Sequence, residues 1–365
     1  MADALKDFFS PSFVQNLARD FKTAYAEFDD VGFCNDVMDS TWDGLELKAR
    51  MRHITLAMGK HLPDDYAAAL SLIDKVVVHQ GDWLKGFSLF FPDFVEIFGI
   101  ELADELWDLS MTALARYTAY GSSEFAVRPF IIRHEERMMA QMLAWSKSDC
   151  EHVRRLSSEG CRPALPWAQA LPKFKKDPSP ILPILENLKN DPEFYVRKSV
   201  ANNLNDISKT HPELVIEICT RWQGETAETD WVIKHACRTL LKKGNAAALE
   251  LFGFGGADKV EVFGIALDQT HVQIGEALNF SFEVNVLEQT KLRLEYAIDF
   301  VKSNGKQSRK IFQISESHAD ADQKNHYVKK HSFADLSTRK HYAGTHKITL
   351  IANGKERGSV DFEVF

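Results

Sequence analysis

Between His152 and Pro180 the chain reads HVRRLSSEGCRPALPWAQALPKFKKDPSP, a run in which several side chains suited to nucleic-acid chemistry fall close together. Arg154, Arg155, Arg162, Lys173, Lys175 and Lys176 surround an isolated acid, Glu159, and an aromatic, Trp167, while Pro163, Pro166 and Pro172 keep the segment extended. Cations at this density suit phosphate oxygens, and an indole can pack on a sugar or a base. The acid has a more specific use. Breaking an N-glycosidic bond passes through a sugar with oxocarbenium character, which a nearby carboxylate stabilises while it holds a water against the positive carbon. A base that is already cationic departs as a neutral molecule and needs little general acid, so acids and one stacking aromatic suffice without a metal. Composition leaves open a blander arrangement, a solvated loop between repeats with Trp167 plugging the core.

Two further segments carry candidates. In DPEFYVRKSVANNLNDISKTHPE, a helix over Tyr195 to Lys209 would set Lys198, Asn202, Asp206 and Lys209 in one polar stripe beside Val196, Val200, Leu204 and Ile207. Such a stripe is either a wet scaffold face or a binding surface. In ARYTAYGSSEFAVRPFIIRHEERM, Glu124 is expected in the first turn of a helix, where the dipole favours an anion whatever its role; Arg128 and Arg133 behind it are phosphate contacts or ordinary helix cations. His134, His152, His211 and His235 form no HxxxH or HxH pair with suitable acids, so no metal site is expected. Cys34, Cys150, Cys161, Cys219 and Cys237 form no CxxC pair, which points to reduced, mostly buried thiols instead of a disulfide framework. A Walker loop, a strand-borne GxGxxG and a GxSxG elbow are all missing, which removes the common nucleotide enzymes and serine hydrolases.

The framework that must position these groups changes character along the chain. Up to about Phe252, runs such as LARDFKTAYAEF, ELADELWDLSMTALARYTAY and LVIEICTRW place apolar residues three and four apart, as amphipathic helices do. A short phrase recurs there as SSEFAVRPF, SDCEHVRRL, DPEFYVRKSV and TDWVIKHAC. Each copy opens on a residue suited to a helix N-cap and passes through Val127, Val153, Val196 or Ile233 to a cation. Separations of 26 to 43 residues fit an irregular HEAT-like array of helix pairs, with LKARMRHITLAMGKHLP near Leu47 as an earlier, degenerate copy. From Val260 the apolar period becomes two, in VEVFGIAL, LNFSFEVNV, LRLEYAIDF, RKIFQIS, HKITLIA and VDFEVF, with SNGKQ and ANGKERG as turns. About seven short strands fit an immunoglobulin-like sandwich, although this segment has neither Cys nor Trp for that fold's usual core signature. The expected fold class is mainly α: a HEAT-like helical-repeat solenoid over residues 1–256, a hinge at GFGGAD, and a β-sandwich over 257–365.

A net charge of −8 argues against a polyanionic ligand only until it is divided along the chain. Residues 1–120 carry 10 Lys and Arg against 20 Asp and Glu, residues 121–256 carry 19 against 17, and the remainder is balanced. Local fields decide where DNA docks, and the acidic excess lies away from the candidate segments. Hydrophobic content of 45% with 26% charged residues is that of a globular protein. The most apolar stretch, FSLFFPDFVEIFGI from Phe87 to Ile100, is interrupted by Pro92, Asp93 and Glu96 and is too short to span a bilayer. The opening MADALKDFFS has no secretory pattern, so a cytoplasmic location is expected.

The phrases LKDFFSPSFVQNLARDF, YGSSEFAVRPF, VRRLSSEGCRPALPW and FYVRKSVANNLNDISKTHP, in this order, make the chain resemble the AlkC-type DNA alkylation-repair glycosylases, relatives of AlkD, over nearly its whole length. The resemblance implies monofunctional hydrolysis of N-alkylated bases, chiefly 3-methyladenine and 3-methylcytosine, in base excision repair. It implies alkylated double-stranded DNA as the partner, no cofactor, no obligatory protein partner, and a monomer that grips bent DNA without flipping the base into a pocket. Carried onto this sequence, Glu159, Glu124 and Asp206 are the acids expected at the lesion, with Glu159 the first choice. Arg155 and Trp167 would hold DNA around the lesion, while Arg154, Arg162, Arg128, Lys198 and Asn202 would meet its backbone. Lys329, Lys330, His331, Arg339, Lys340 and His341 of the sandwich would clamp the far side of the duplex. The rival is a non-catalytic repeat scaffold that binds DNA or protein; an isolated carboxylate among so many cations is what such a scaffold does not need.

Overall fold

The computed structural model describes residues 5–79, 88–336 and 339–365. Among them the chain runs through sixteen α-helices, from α1 (Pro11–Ala24) to α16 (Ala246–Leu251), and then eight strands, from β1 (Val260–Leu267) to β8 (Lys355–Val364). The change of apolar period seen in the sequence therefore falls between Leu251 and Val260. Phe87 lies outside the described residues; the rest of its stretch forms α5 (Phe90–Phe94) and the short turns after it, with Phe90, Phe91 and Phe94 buried. Among the described residues no helix is long and apolar enough to cross a membrane.

Local sequence explains the helices. At α1 the Ser10 side chain accepts the Phe13 N–H and Pro11 fills the first turn, while Phe13, Val14, Leu17, Ala18 and Phe21 bury one stripe. The recurring phrase marks equivalent positions. Val127 begins α7 (Val127–Arg133), Val153 lies in α9 (Glu151–Glu159), Val196 in α12 (Phe194–Ile207) and Ile233 in α14 (Ala227–Ala236), and all four are buried. Removing each from water stabilises its helix in place by about 1.5–3 kcal/mol. Cys161, Cys219 and Cys237 are buried, and all five cysteines are free thiols.

Packing divides the chain into two units, residues 1–210 with 224–232, and residues 211–223 with 233–365. Among its described residues the first carries helices and no strand. In the second, α13 (Pro212–Trp222), α15 (Arg238–Lys242) and α16 group with the strands, and Lys291 donates to the carbonyl of Phe252 at 2.9 Å. A three-stranded sheet ordered β1, β3 (Ala277–Val286), β6 (Lys324–Ser332) accompanies a five-stranded sheet ordered β2 (His271–Val272), β8, β7 (Gly344–Ala352), β4 (Thr290–Val301), β5 (Gln307–Ala319). Pairing is antiparallel except between β2 and β8. Phe280, Phe282 and Val284 from one sheet and Leu294, Ile298, Phe300, Ile348 and Phe362 from the other share the core. The expected fold class is the one observed, a helical-repeat region followed by an immunoglobulin-like sandwich.

Two strands escape the sequence pattern. β2 has only two residues, and β6, KNHYVKKHS, is an edge strand on which polar residues occupy both faces. That edge also corrects the surface expected for the sandwich. His331 and His341 are both buried, ringed by Phe300 and Phe333, so neither is available to a duplex.

Candidate active site

Two helices of the first unit, α9 and α12, build the site between them. On α9, Arg155 and Glu159 are one turn apart and Arg162 follows three residues later, so all three lie on one side. Small residues let α12 come close: the Ser158 hydroxyl donates to Ser199 Oγ at 2.7 Å, Ser199 donates to Glu159 Oε2 at 2.7 Å, and Asn203 donates to the Ser158 carbonyl at 2.7 Å. Gly160 is required where α9 meets α7, because a Cβ there would lie 2.7 Å from Val127 Cγ2.

The three acids expected at the lesion form one line, alternating with two arginines. Arg155 Nη1 meets Glu124 Oε2 and also Ser122 Oγ, and its Nη2 lies 3.4 Å from Glu159 Oε1. Arg162 Nη1 donates to the same Glu159 oxygen at 2.7 Å and its Nε to Asp206 Oδ2 at 2.9 Å; Lys209 closes the line on Asp206 Oδ1 at 2.8 Å. Side-chain exposure falls along it, from 16% at Glu124 to 7% at Glu159 and 2% at Asp206. The line thus opens to solvent at Glu124 and Arg155. Burial opposes the charge on Arg155 and Arg162, but Glu124 and Glu159 around the first, and Glu159 and Asp206 around the second, outweigh it and raise both guanidinium pKa values. The two cations are permanent.

Position changes the parts expected of individual residues. Glu159, the first choice for the acid meeting substrate, has both oxygens occupied and faces inward. Glu124 is not in a first helical turn; it sits in the turn that precedes α7, where Ser122 Oγ donates to its carboxylate at 2.9 Å and Ser123 Oγ is anchored on the Leu114 carbonyl. Tyr195, absent from the candidates, lies with its ring 5.0 Å from the Arg155 guanidinium carbon and half exposed. Its only sequence signal is an aromatic at the start of α12.

Trp167 does not plug the core. It is 71% exposed, and its backbone is left-handed, with φ 64°. Holding a bulky residue there costs of order 1–3 kcal/mol, which neighbouring structure must offset. Lys48 donates to its carbonyl at 2.9 Å, and Arg128 reaches the next-but-one carbonyl, of Gln169, at 2.5 Å. Arg128 also donates to the carbonyls of Gly160 and Arg162, at 2.8 and 3.0 Å, and burial pulls its pKa down to about 10. Expected on the DNA backbone, Arg128 is instead the internal anchor of the 160–169 strap, with 1% of its surface exposed.

Arg154 is likewise turned inward. It grips Asp191 with two donors, at 2.6 and 3.1 Å, and the carbonyls of Ser148 and Asp149, which ties α9 to the start of α12. Arg162 is buried in the acid line. Lys198 is exposed and Asn202 half-buried on α12. Among the described residues no group of three or more His, Cys, Asp and Glu could hold a metal ion.

The family described as DNA alkylation repair enzyme matches residues 101–240, which include every member of the acid line, and the YhaZ C-terminal Ig-like domain matches residues 261–365. The Bacillus subtilis (strain 168) protein YhaZ is 45% identical over 365 residues, the whole of both chains. A solved structure, the Pseudomonas fluorescens alkylpurine DNA glycosylase AlkC bound to DNA containing an abasic site analog, is similar at 37% identity and a TM-score of 0.94, again over 100% of each chain.

Proposed function

The chain belongs to the AlkC-type DNA alkylation-repair glycosylases, and from that we propose that it hydrolyses, as a monofunctional enzyme, the bond between deoxyribose and a cationic N-alkylated base in duplex DNA, with 3-methyladenine and 3-methylcytosine as its substrates. The observation that carries this reading is the line of three carboxylates pinned by two arginines, with Glu124 its most exposed acid, together with an indole held out into solvent.

The departing base takes the bonding electron pair and becomes neutral, leaving positive charge on C1′ of the sugar. Glu124 is the carboxylate placed to meet that charge. A water adds to C1′ and loses its proton to the carboxylate or to solvent. Arg155 holds Glu124 in one orientation; its own charge, which would repel the sugar cation, is offset from behind by Glu159. Arg162 and Asp206 extend the same compensation inward, so the field at the sugar is set before substrate arrives. Trp167 packs on the DNA beside the lesion, and Lys198 and Asn202 meet the backbone. With the acids reached at the sugar, base extrusion into a pocket is unnecessary, and selectivity follows the lability of a cationic nucleobase. The enzyme acts in the cytoplasm as a monomer, its HEAT-like array gripping the duplex.

Chromatography of bases released from methylated duplex DNA, in EDTA, tests this directly. Wild-type protein releases free 3-methyladenine, and Glu124→Gln slows release by about 10²-fold with DNA affinity retained. Failure of the wild type to release any base, with DNA still bound, would establish the scaffold; a strict metal requirement would overturn the mechanism.

A further inference from the structure

Lys48, on α3 (Leu47–His61), belongs to none of the segments that carry the acids or the indole, yet it touches both of them. Its ammonium donates to the carbonyl of Trp167, 119 residues away, at 2.9 Å, and sits 4.7 Å from the ring centroid of Phe125, the neighbour of Glu124. We infer that Lys48 is a positioning residue, a latch that fixes the Trp167 strap and the Glu124 turn relative to each other so that indole and carboxylate reach one nucleotide together.

Three features point the same way. Trp167 is in the left-handed region without being Gly, Asn or Asp, so its conformation is imposed from outside. The indole is largely exposed, so core packing is not what imposes it. The strap is held from within by Arg128 on the Gln169 carbonyl, while Lys48 supplies the hold from the solvent side on the peptide group of Trp167 itself. Orienting that carbonyl fixes the rotation of the strained peptide, and with it the direction of the indole. A cation over Phe125 adds attraction to the turn that bears Glu124.

The kinetic part of this inference rests on the glycosylase reading; the structural part does not, and the experiment keeps them apart. Wild type, Lys48→Met and Lys48→Arg are prepared, each also with Trp167→Phe, so that difference spectra isolate the fluorescence anisotropy of Trp167 in DNA-free protein. Lys48→Met lowers that anisotropy and slows single-turnover base release by about tenfold, since a displacement near 1 Å at a reacting centre is enough for such losses. DNA affinity and the melting temperature stay unchanged. Lys48→Arg, which can still donate to the carbonyl and stack on Phe125, keeps both readouts near wild type. The latch is refuted if Trp167 anisotropy is the same in Lys48→Met, or if that variant loses affinity instead of rate, as a mere phosphate contact would. Should the wild type release no base, the glycosylase reading fails and the anisotropy arm still decides the latch.

Discussion

A cluster of titratable side chains in each unit is withdrawn from water, and these two clusters are built in opposite ways, although the sandwich also buries the paired Arg293, Glu295 and Glu316. In the helical unit Glu124, Glu159 and Asp206 alternate with Arg155 and Arg162, every charge facing an opposite one. In the sandwich His331, His341 and His346 pack around Phe300 and Phe333, and among the described residues no carboxylate forms an ion pair with any of the three. The His331 ring bonds the Tyr296 hydroxyl at 2.9 Å; among the described residues its Nε2 and both nitrogens of His341 are buried without a partner. Burial pulls all three histidines toward their neutral forms, and Arg339 adds to this at His331 and His341. One cluster sets opposite charges face to face, and in the other burial favours the neutral imidazole. Fixed charge in a dry setting is what a developing sugar cation requires. Neutral imidazoles are fillers of an aromatic core.

The largest expected effect breaks the charged cluster from inside. Arg162→Met strands Glu159 and Asp206, which are 7% and 2% exposed, without their shared cation, and the loss of stability should be about 3–5 kcal/mol, read from the urea midpoint near neutral pH. Arg339→Met in the sandwich strands no carboxylate and should cost far less. Equal losses would mean that the two clusters are alike in energy and that the pairing in the helical unit has no special standing.

The acid line was legible in part. Acids embedded among cations are visible locally, so Glu124, Glu159 and Asp206 can be picked out one by one. Their order of exposure cannot, because the partners that decide it are 31, 40 and 44 residues apart in the chain. Arg128, Arg154 and Arg155 look alike in sequence. Direction separates them: the first turns to strap carbonyls, the second to Asp191, and only the third to the open end of the line. Helix α12 was readable to within two residues at either end because Val196, Val200, Leu204 and Ile207 keep the helical period. β6 was not, since an edge strand need satisfy only one partner and one face. The same ambiguity made its His331 look like a surface cation.

Acid should break the histidine cluster. The His331 pKa is lowered to about 4 in the fold, by burial first and then by Arg339 and His341, against about 6.5 in the unfolded chain. Between those values the unfolded state binds more protons, so stability contributed by the neutral histidine is complete above pH 6.5 and is lost as pH falls towards 4. For His331 the loss is at most about 3 kcal/mol, with His341 and His346 adding in the same direction. Thermal melts over this range should show the sandwich transition falling with pH, and His331→Leu should flatten the slope. A slope untouched by that change would transfer the effect to other groups.

The smallest effect concerns one backbone conformation that both units use. Asn353, in the turn between β7 and β8, has φ 45°, and its side chain earns the position: Oδ1 accepts the Arg293 N–H at 2.8 Å and Nδ2 donates to the Lys291 carbonyl at 3.0 Å. Asn is also among the residues that tolerate the left-handed region. Trp167, at φ 64°, has no such tolerance and, among the described residues, no side-chain hydrogen bond to compensate. Glycine should therefore act in opposite directions at the two sites. Asn353→Gly loses these side-chain hydrogen bonds, the one to Arg293 buried, and destabilises by about 1–2 kcal/mol, whereas Trp167→Gly relieves strain and leaves the melting temperature unchanged or raises stability by up to about 1 kcal/mol. Base release should nonetheless fall steeply in Trp167→Gly, because the strained residue is the one proposed to pack on DNA. If Trp167→Gly instead lost stability while keeping its rate, the indole would be a packing element, and strain at this position would have no connection with catalysis.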